Sequence, residues 1–307
     1  MPARRFWAHD PVGVNMANTF ILYLDHFGLK KRPFSIVPDP EFLFWSDAHL
    51  WAYSMLEYGM MTRAPITLIT GEIGSGKTTL VNHLIRSQDS DVTIGLISNA
   101  HGDRGELLRW VLMSLGQVAT GEDTYVDLFS KFQSFMIAEY AAGRRVVLIF
   151  DEAQNLSRES LEEVRMFTNI NSNKDELLQI ILVGQPELRD IVRRPDMVQF
   201  AQRISSSFHL GTMNEATVRA YVAHRLKVAG TAAELFSAGA LSMITRATEG
   251  VPRLVNQICD LSLVYSYSEG EKQVSALTVK QLLNDGVFFG RFTPLDDSAV
   301  TEKKKAE

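Results

Sequence analysis

The sequence predicts an α/β fold: a doubly wound parallel sheet followed by a small all-helical domain. Three observations carry that expectation. Apolar runs rich in β-branched residues recur between about residues 65 and 211, and the strongest are continuous rather than alternating, as strands covered on both faces are. Amphipathic helical patterns lie between them, which is the alternation of a parallel sheet. After Gly211 the strand signals stop and only helical periodicity remains.

The expected strands are Ile66–Thr70 (ITLIT), Thr93–Ile97 (TIGLI), Val146–Phe150 (VVLIF) and Leu178–Val183 (LQIILV), with the more polar Ser205–Leu210 (SSSFHL) as a fifth. Between them, Leu107, Leu108, Val111, Leu112 and Leu115 share one helical face, and Leu161, Val164 and Phe167 share another. In the C-terminal part, Val218, Tyr221, Val222 and Leu226 fall together, as do Leu254, Ile258 and Leu261, with Asn214 and Ser237 as N-caps. The expected organisation is an N-terminal extension (1–19), an α/β domain (20–211), a helical domain (212–287) and a polar tail (288–307) that is expected to be disordered.

Bulk composition narrows the function. The 307 residues are 46% hydrophobic and 22% charged, enough for one sizeable core and a smaller one. A net charge of −5 leans against a surface that is wholly a nucleic-acid footprint. The single cysteine, Cys259, sits in a helical apolar pattern, which excludes an intramolecular disulfide framework and reads as core packing. No run approaches the ~18 apolar residues of a membrane span. The N-terminus MPARRFWAHDPVGVNM has no apolar stretch behind its basic residues, so the expected location is the cytoplasm, with Met16 as an alternative start.

The strongest local signal is Gly71-Glu72-Ile73-Gly74-Ser75-Gly76-Lys77-Thr78, which matches G-x-x-x-x-G-K-[ST] in full and stands between a strand and a helix expected from Thr79 to Arg86. Glycines let such a loop curl so that successive N–H groups point inward at phosphate oxygens, and the helix presents its positive end to the same anion. Lys77 is then placed for the β- and γ-phosphates and the Thr78 hydroxyl for Mg²⁺. The pattern implies ATP with Mg²⁺ as the bound species.

About 75 residues further on, Val146–Phe150 ends in Asp151-Glu152. Ligands of open parallel sheets gather at the carboxyl ends of strands, which would set both acids beside the loop. Asp151 is expected to hold Mg²⁺ and Glu152 to polarise the attacking water.

The stretches GEIGSGKTTL, VVLIFDEAQNL, QIILVGQPELRD and GVPRLVNQICD, with the opening YLDHFGLKKRPFSIVPDPEFLF, resemble the ExeA/GspA-type AAA+ ATPases of general secretion loci over about residues 23–287. The resemblance implies a P-loop AAA+ module with a helical lid, working as a homo-oligomeric ring, expected to be hexameric, for a protein partner at the membrane. It also implies roles for further residues. Gln185 takes the sensor 1 position, although it would also suit a turn cap before Pro186. Asn99 matches a position that restrains the Walker B glutamate, or is an ordinary turn residue. Arg253 matches sensor 2, a lid arginine at the nucleotide together with the loop residues through Thr79. Arg203 stands where the arginine finger acts on a neighbouring subunit, with Arg193 and Arg194 as rivals. The longer secretion members continue into a membrane span and a peptidoglycan-binding domain; neither follows here, so any envelope role is expected to run through a partner.

Two rival classes remain open at this stage. A transposition-type ATPase on DNA would rely on the basic clusters Lys30-Lys31-Arg32 and Arg144-Arg145. A nucleotide-gated scaffold would bind ATP and barely turn over, against which the presence of Glu152 counts.

Overall fold

The computed structural model describes residues 23–37, 39–98, 106–172 and 175–288, and the chain divides into two compact units. The first spans Trp45–Thr212 and holds a five-stranded parallel sheet. Its strands are β1 (Ile66–Gly71), β2 (Val92–Ser98), β3 (Arg145–Asp151), β4 (Leu178–Gly184) and β5 (Ile204–Leu210), in the order β2-β3-β4-β1-β5. Every expected strand forms, each one or two residues longer than its apolar run. β1 and β4 are buried at all positions and β3 at all but its first, whereas the edge strands β2 and β5 are only partly buried. That contrast follows from coverage: a central parallel strand has no solvent face on which to place a polar residue.

Helices cover both faces. Asp47–Met61 (α1) and Lys77–Ser87 (α2) pack Leu56, Leu80 and Leu84 against Ile69, Ile149 and Val183. The alternate residues of the same strands, Leu68, Leu148 and Leu182, point to the other face. There they meet α3 (Glu106–Ser114), α4 (Tyr125–Ala141), α5 (Arg158–Phe167), α6 (Pro186–Val192) and α7 (Val198–Ala201). The expected face Leu107, Leu108, Val111, Leu112 and Leu115 is buried there, as are Leu161, Val164 and Phe167. Phe132 and Phe167 meet edge to face, 5.2 Å between centroids, both fully buried; truncating either to alanine would cost ~3–5 kcal/mol. One feature carried no sequence signal, a short antiparallel pair of Asn171–Ser172 with Asp175–Glu176.

The second unit is helical: α8 (Glu215–Val228), α9 (Ala238–Thr248), α10 (Pro252–Ser268) and α11 (Ala276–Asn284). Asn214 and Ser237 cap α8 and α9 by accepting from the Thr217 and Ala240 amides. Cys259 is fully buried in the core, with Val218 and Ile258.

The expected boundary at residue 20 is not where the units divide. Residues 23–44 belong with the helical unit, in which Phe27, Leu29, Phe34 and Phe42 join the core of α8–α11. Polar contacts fasten the segment. Arg32 grips Asp260 through two hydrogen bonds, the Nε–Oδ1 one at 2.8 Å. Buried Arg225 donates to the Pro33 carbonyl at 2.5 Å and to the Tyr221 hydroxyl at 2.7 Å. Chain order alone assigns this stretch to the strand that follows it; its aromatic side chains find their partners some 200 residues away.

Candidate active site

The site lies at the C-terminal ends of β1, β3 and β4. The sequence Gly71–Thr78 turns from β1 into α2, and its glycines are required by geometry at both ends. A Cβ on Gly71 would stand 2.5 Å from the Leu210 carbonyl oxygen, and Gly76 caps α2 at φ 103°, in the left-handed region. Gly74 is also left-handed, at φ 79°. The buried Lys77 side chain curls back over the loop, where Nζ donates to the carbonyls of Gly71 at 2.7 Å and Glu72 at 2.9 Å. Burial pulls its pKa down, while the charges of Glu152, Asp151, Glu72 and Glu187 act to raise it. A lysine so placed is a cation held ready for an anionic ligand.

The next residue, Thr78, donates its hydroxyl to Asp151 Oδ2 at 3.0 Å, which joins the loop to the end of β3. One hydroxyl and one buried carboxylate side by side are hard oxygen donors of the kind Mg²⁺ takes, together with phosphates and water. The residues present therefore fit a magnesium nucleotide.

Glu152 follows in a left-handed conformation, φ 55° and ψ 37°, and starts the 3-10 turn Ala153–Asn155. A non-glycine residue there costs on the order of 1–2 kcal/mol, which the surroundings hold in place. Its amide donates to Asp151 Oδ1 at 3.0 Å. Two side-chain amides grip one carboxylate oxygen, Oε2: Gln154 Nε2 at 2.5 Å and Gln185 Nε2 at 3.2 Å. The Gln154 bond is the main reason the Glu152 carboxyl lies below its usual range; Gln185 and the Lys77 charge add to it, against the opposing effect of burial. Gln154 in turn accepts from the Gln185 backbone N–H at 3.0 Å, so the ends of β3 and β4 are tied by one glutamine.

Gln185 makes no side-chain cap bond although it occupies the N-cap of α6; its amide goes to Glu152 instead. Arg203, half-exposed just before β5, donates to Asn169 Oδ1 at 2.7 Å. Arg253, exposed in the first turn of α10, has no side-chain partner among the described residues. Asn99 lies outside the described residues. Both basic clusters contribute to intramolecular pairs: Lys31 with Glu41, Arg32 with Asp260, Arg144 with Glu139 and Arg145 with Asp91.

Sequence reading missed two residues of this site. Gln154 is an unremarkable glutamine in a turn until β4 is placed beside it. His49, on the first turn of α1, reaches the loop with Nε2 3.1 Å from the Ser75 carbonyl oxygen. Its only sequence cue is the Ser46-x-x-His49 spacing at a helix start, which reads as an N-cap.

Fold and site together define an AAA-type P-loop module. Residues 60–192 match the family described as AAA domain. The chain is 37% identical over 254 residues to General secretion pathway protein A of Aeromonas hydrophila, an alignment covering 82% of this chain and 46% of that protein. It is thus related to that protein, as the motifs indicated, and spans about half its length. Among solved structures, ORC2 of Aeropyrum pernix, in complexes with ADPNP and ADP, superposes with a TM-score of 0.61 at 15% identity, covering 91% of this chain and 75% of that one. A chain of Drosophila ORC bound to DNA superposes with a TM-score of 0.65, also at 15% identity, covering 94% and 70%. At such identity these likenesses speak for the fold alone.

Proposed function

We propose that the chain is an ATP hydrolase whose turnover drives the assembly or regulation of a larger complex, an envelope secretion or export system. The observation that carries this reading is the convergence of a phosphate loop, a hydroxyl–carboxylate pair and an amide-held glutamate at the ends of three adjacent strands. Lys77 and the loop amides bind the phosphates. Thr78 and Asp151 would hold Mg²⁺, which when bound neutralises phosphate charge. Glu152, kept ionised by Gln154 and Gln185, orients and deprotonates the attacking water. Gln185, bonded to the Glu152 carboxylate, would sense the γ-phosphate and Glu152 together. For Arg253 the role that the resemblance implies is sensor 2.

Arg203 acts in trans in a homo-oligomeric ring, leaving Asn169 for a neighbour's phosphate. The secretion assignment rests on the relative's name and is the finer part of the proposal. No helix among the described residues is long and apolar enough to cross a membrane, and a cytoplasmic ring docked on a membrane partner is the arrangement we favour. Pairing of Lys31, Arg32, Arg144 and Arg145 within the chain counts against a DNA-bound polymer.

The test is phosphate release from Mg·ATP as protein concentration is raised. Specific activity should climb with concentration and vanish in Lys77→Ala. Lys77→Ala mixed with Arg203→Ala should regain part of it, because intact sites meet intact fingers; an arginine finger is worth on the order of 10³ in rate elsewhere. No rescue at any ratio, with co-assembly demonstrated, would remove Arg203 from the reaction.

A further inference from the structure

The conformation of a phosphate loop depends on which way each of its peptide planes faces, and one of these planes is held from outside the motif. In a trans peptide the carbonyl and the following N–H point in opposite directions. The Ser75–Gly76 peptide is trans, and its carbonyl oxygen faces away from the loop toward His49, whose Nε2 lies 3.1 Å off. Gly76 N–H is thereby turned to the opposite side. Left-handed glycine is also the point at which such a plane is freest to flip. A flip would aim an oxygen, rather than a hydrogen, at a phosphate.

His49 is itself held. Ser46 Oγ lies 2.6 Å from Nδ1 and accepts the His49 backbone N–H at 3.3 Å, so the N-cap of α1 and the imidazole form one unit. The directions are consistent in one tautomer: the Ser46 hydroxyl donates to Nδ1, and Nε2–H donates to the Ser75 carbonyl. The other tautomer would set two lone pairs against each other at Ser75. Burial lowers the His49 pKa and so favours the neutral ring, with the Ser75 carbonyl opposing that shift. The imidazole sits so close that a Cβ at position 76 would lie 2.7 Å from Nε2. That contact gives Gly76 a second reason to be glycine.

We propose that His49 is a positioning residue for nucleotide binding: oriented by Ser46, it locks the Ser75–Gly76 peptide with its N–H toward the phosphates. The inference rests on the reading that Gly71–Thr78 binds phosphate and adds a residue from outside the motif to it.

The test compares ADP binding, by calorimetry with Mg²⁺ present, in wild type, Lys77→Ala, His49→Ala, His49→Phe and His49→Gln. Gln places an amide N–H near the position of Nε2, whereas Phe fills the space without a donor. Loss of one buried hydrogen bond corresponds to about a tenfold weaker Kd. His49→Ala and His49→Phe should therefore bind ADP about tenfold more weakly, with His49→Gln recovering most of the loss. Nucleotide-free melting temperatures report folding separately. A purely structural role would lower those temperatures and leave the Kd of the folded protein alone; that result, or equal affinity for Phe and Gln, would overturn the proposal. Wild-type binding that is lost in Lys77→Ala and unchanged in all three His49 variants would sink the His49 role alone. No ADP binding by wild type would overturn both it and the phosphate-loop reading.

Discussion

Substituting Gly71 by alanine probes the joint between fold and site. A Cβ there would lie 2.5 Å from the Leu210 carbonyl oxygen, 2.9 Å from Ser75 Oγ and 3.1 Å from Leu210 Cβ. Ordinary contact begins near 3.4 Å, so the backbones of β1 and β5, in register at Gly71 and Leu210, must part by nearly 1 Å. Neither neighbour yields cheaply, because one is a backbone atom of a sheet strand and the other is buried under the loop. Overpacking of this kind costs about 1–3 kcal/mol. For a domain of this size each kcal/mol lowers Tm by about 2–4 °C, so a fall of about 2–12 °C is expected. The same displacement moves the Gly71 carbonyl that accepts from Lys77 Nζ at 2.7 Å, so the effect reaches the nucleotide. At a hundredfold excess of ligand over Kd, binding adds about 2.7 kcal/mol of stability, and a tenfold weaker Kd removes about half of it. Thermal melts of Gly71→Ala with and without Mg·ADP measure both quantities. A variant with the wild-type Tm and the wild-type nucleotide shift would refute the reasoning from this contact.

Three further outcomes follow from the geometry. Gln154→Ala removes the main bond that lowers the Glu152 carboxyl, so that pKa should rise toward its ordinary 4.5; a carboxyl NMR titration with no upward movement would contradict the assignment. Burial raises the Cys259 thiol well above its ordinary value, with Asp260 adding to the shift, so alkylation at pH 8 should wait for unfolding; rapid labelling of native protein would exclude the packed core described above. Labelled duplex DNA should bind weakly, even with a non-hydrolysable ATP analogue, and lose that binding at physiological salt, because Lys31, Arg32, Arg144 and Arg145 pair with acids of the chain and its net charge is −5. Sub-micromolar, nucleotide-dependent binding at that salt would favour the DNA reading.

The legible part of this chain is what local chemistry dictates. Continuous apolar runs marked β1, β3 and β4 because strands buried on both faces admit no alternation, and the phosphate loop was readable because its glycines and lysine are adjacent in sequence. Asp151 and Glu152 were readable as the end of such a strand. What stayed hidden depends on distant partners. Phe34 and Arg32 gave no hint that they pack with α8–α11, since Asp260 lies 228 residues from Arg32. Gln154 matters because β4 brings Gln185 to it, and His49 because α1 lies under the loop. Lys30-Lys31-Arg32 read only as a basic cluster because a linear pattern cannot show which acid answers which base.

The claim at the centre of this account is that Glu152 performs chemistry at a site assembled by Gly71–Thr78 and Asp151. The direct measurement is Mg·ATP turnover by Glu152→Gln beside its nucleotide affinity. Gln keeps the size of the side chain and removes its charge and basicity. The account predicts ATP affinity close to wild type with turnover lowered by about 10²-fold or more. Hydrolysis at the wild-type rate by Glu152→Gln would contradict it.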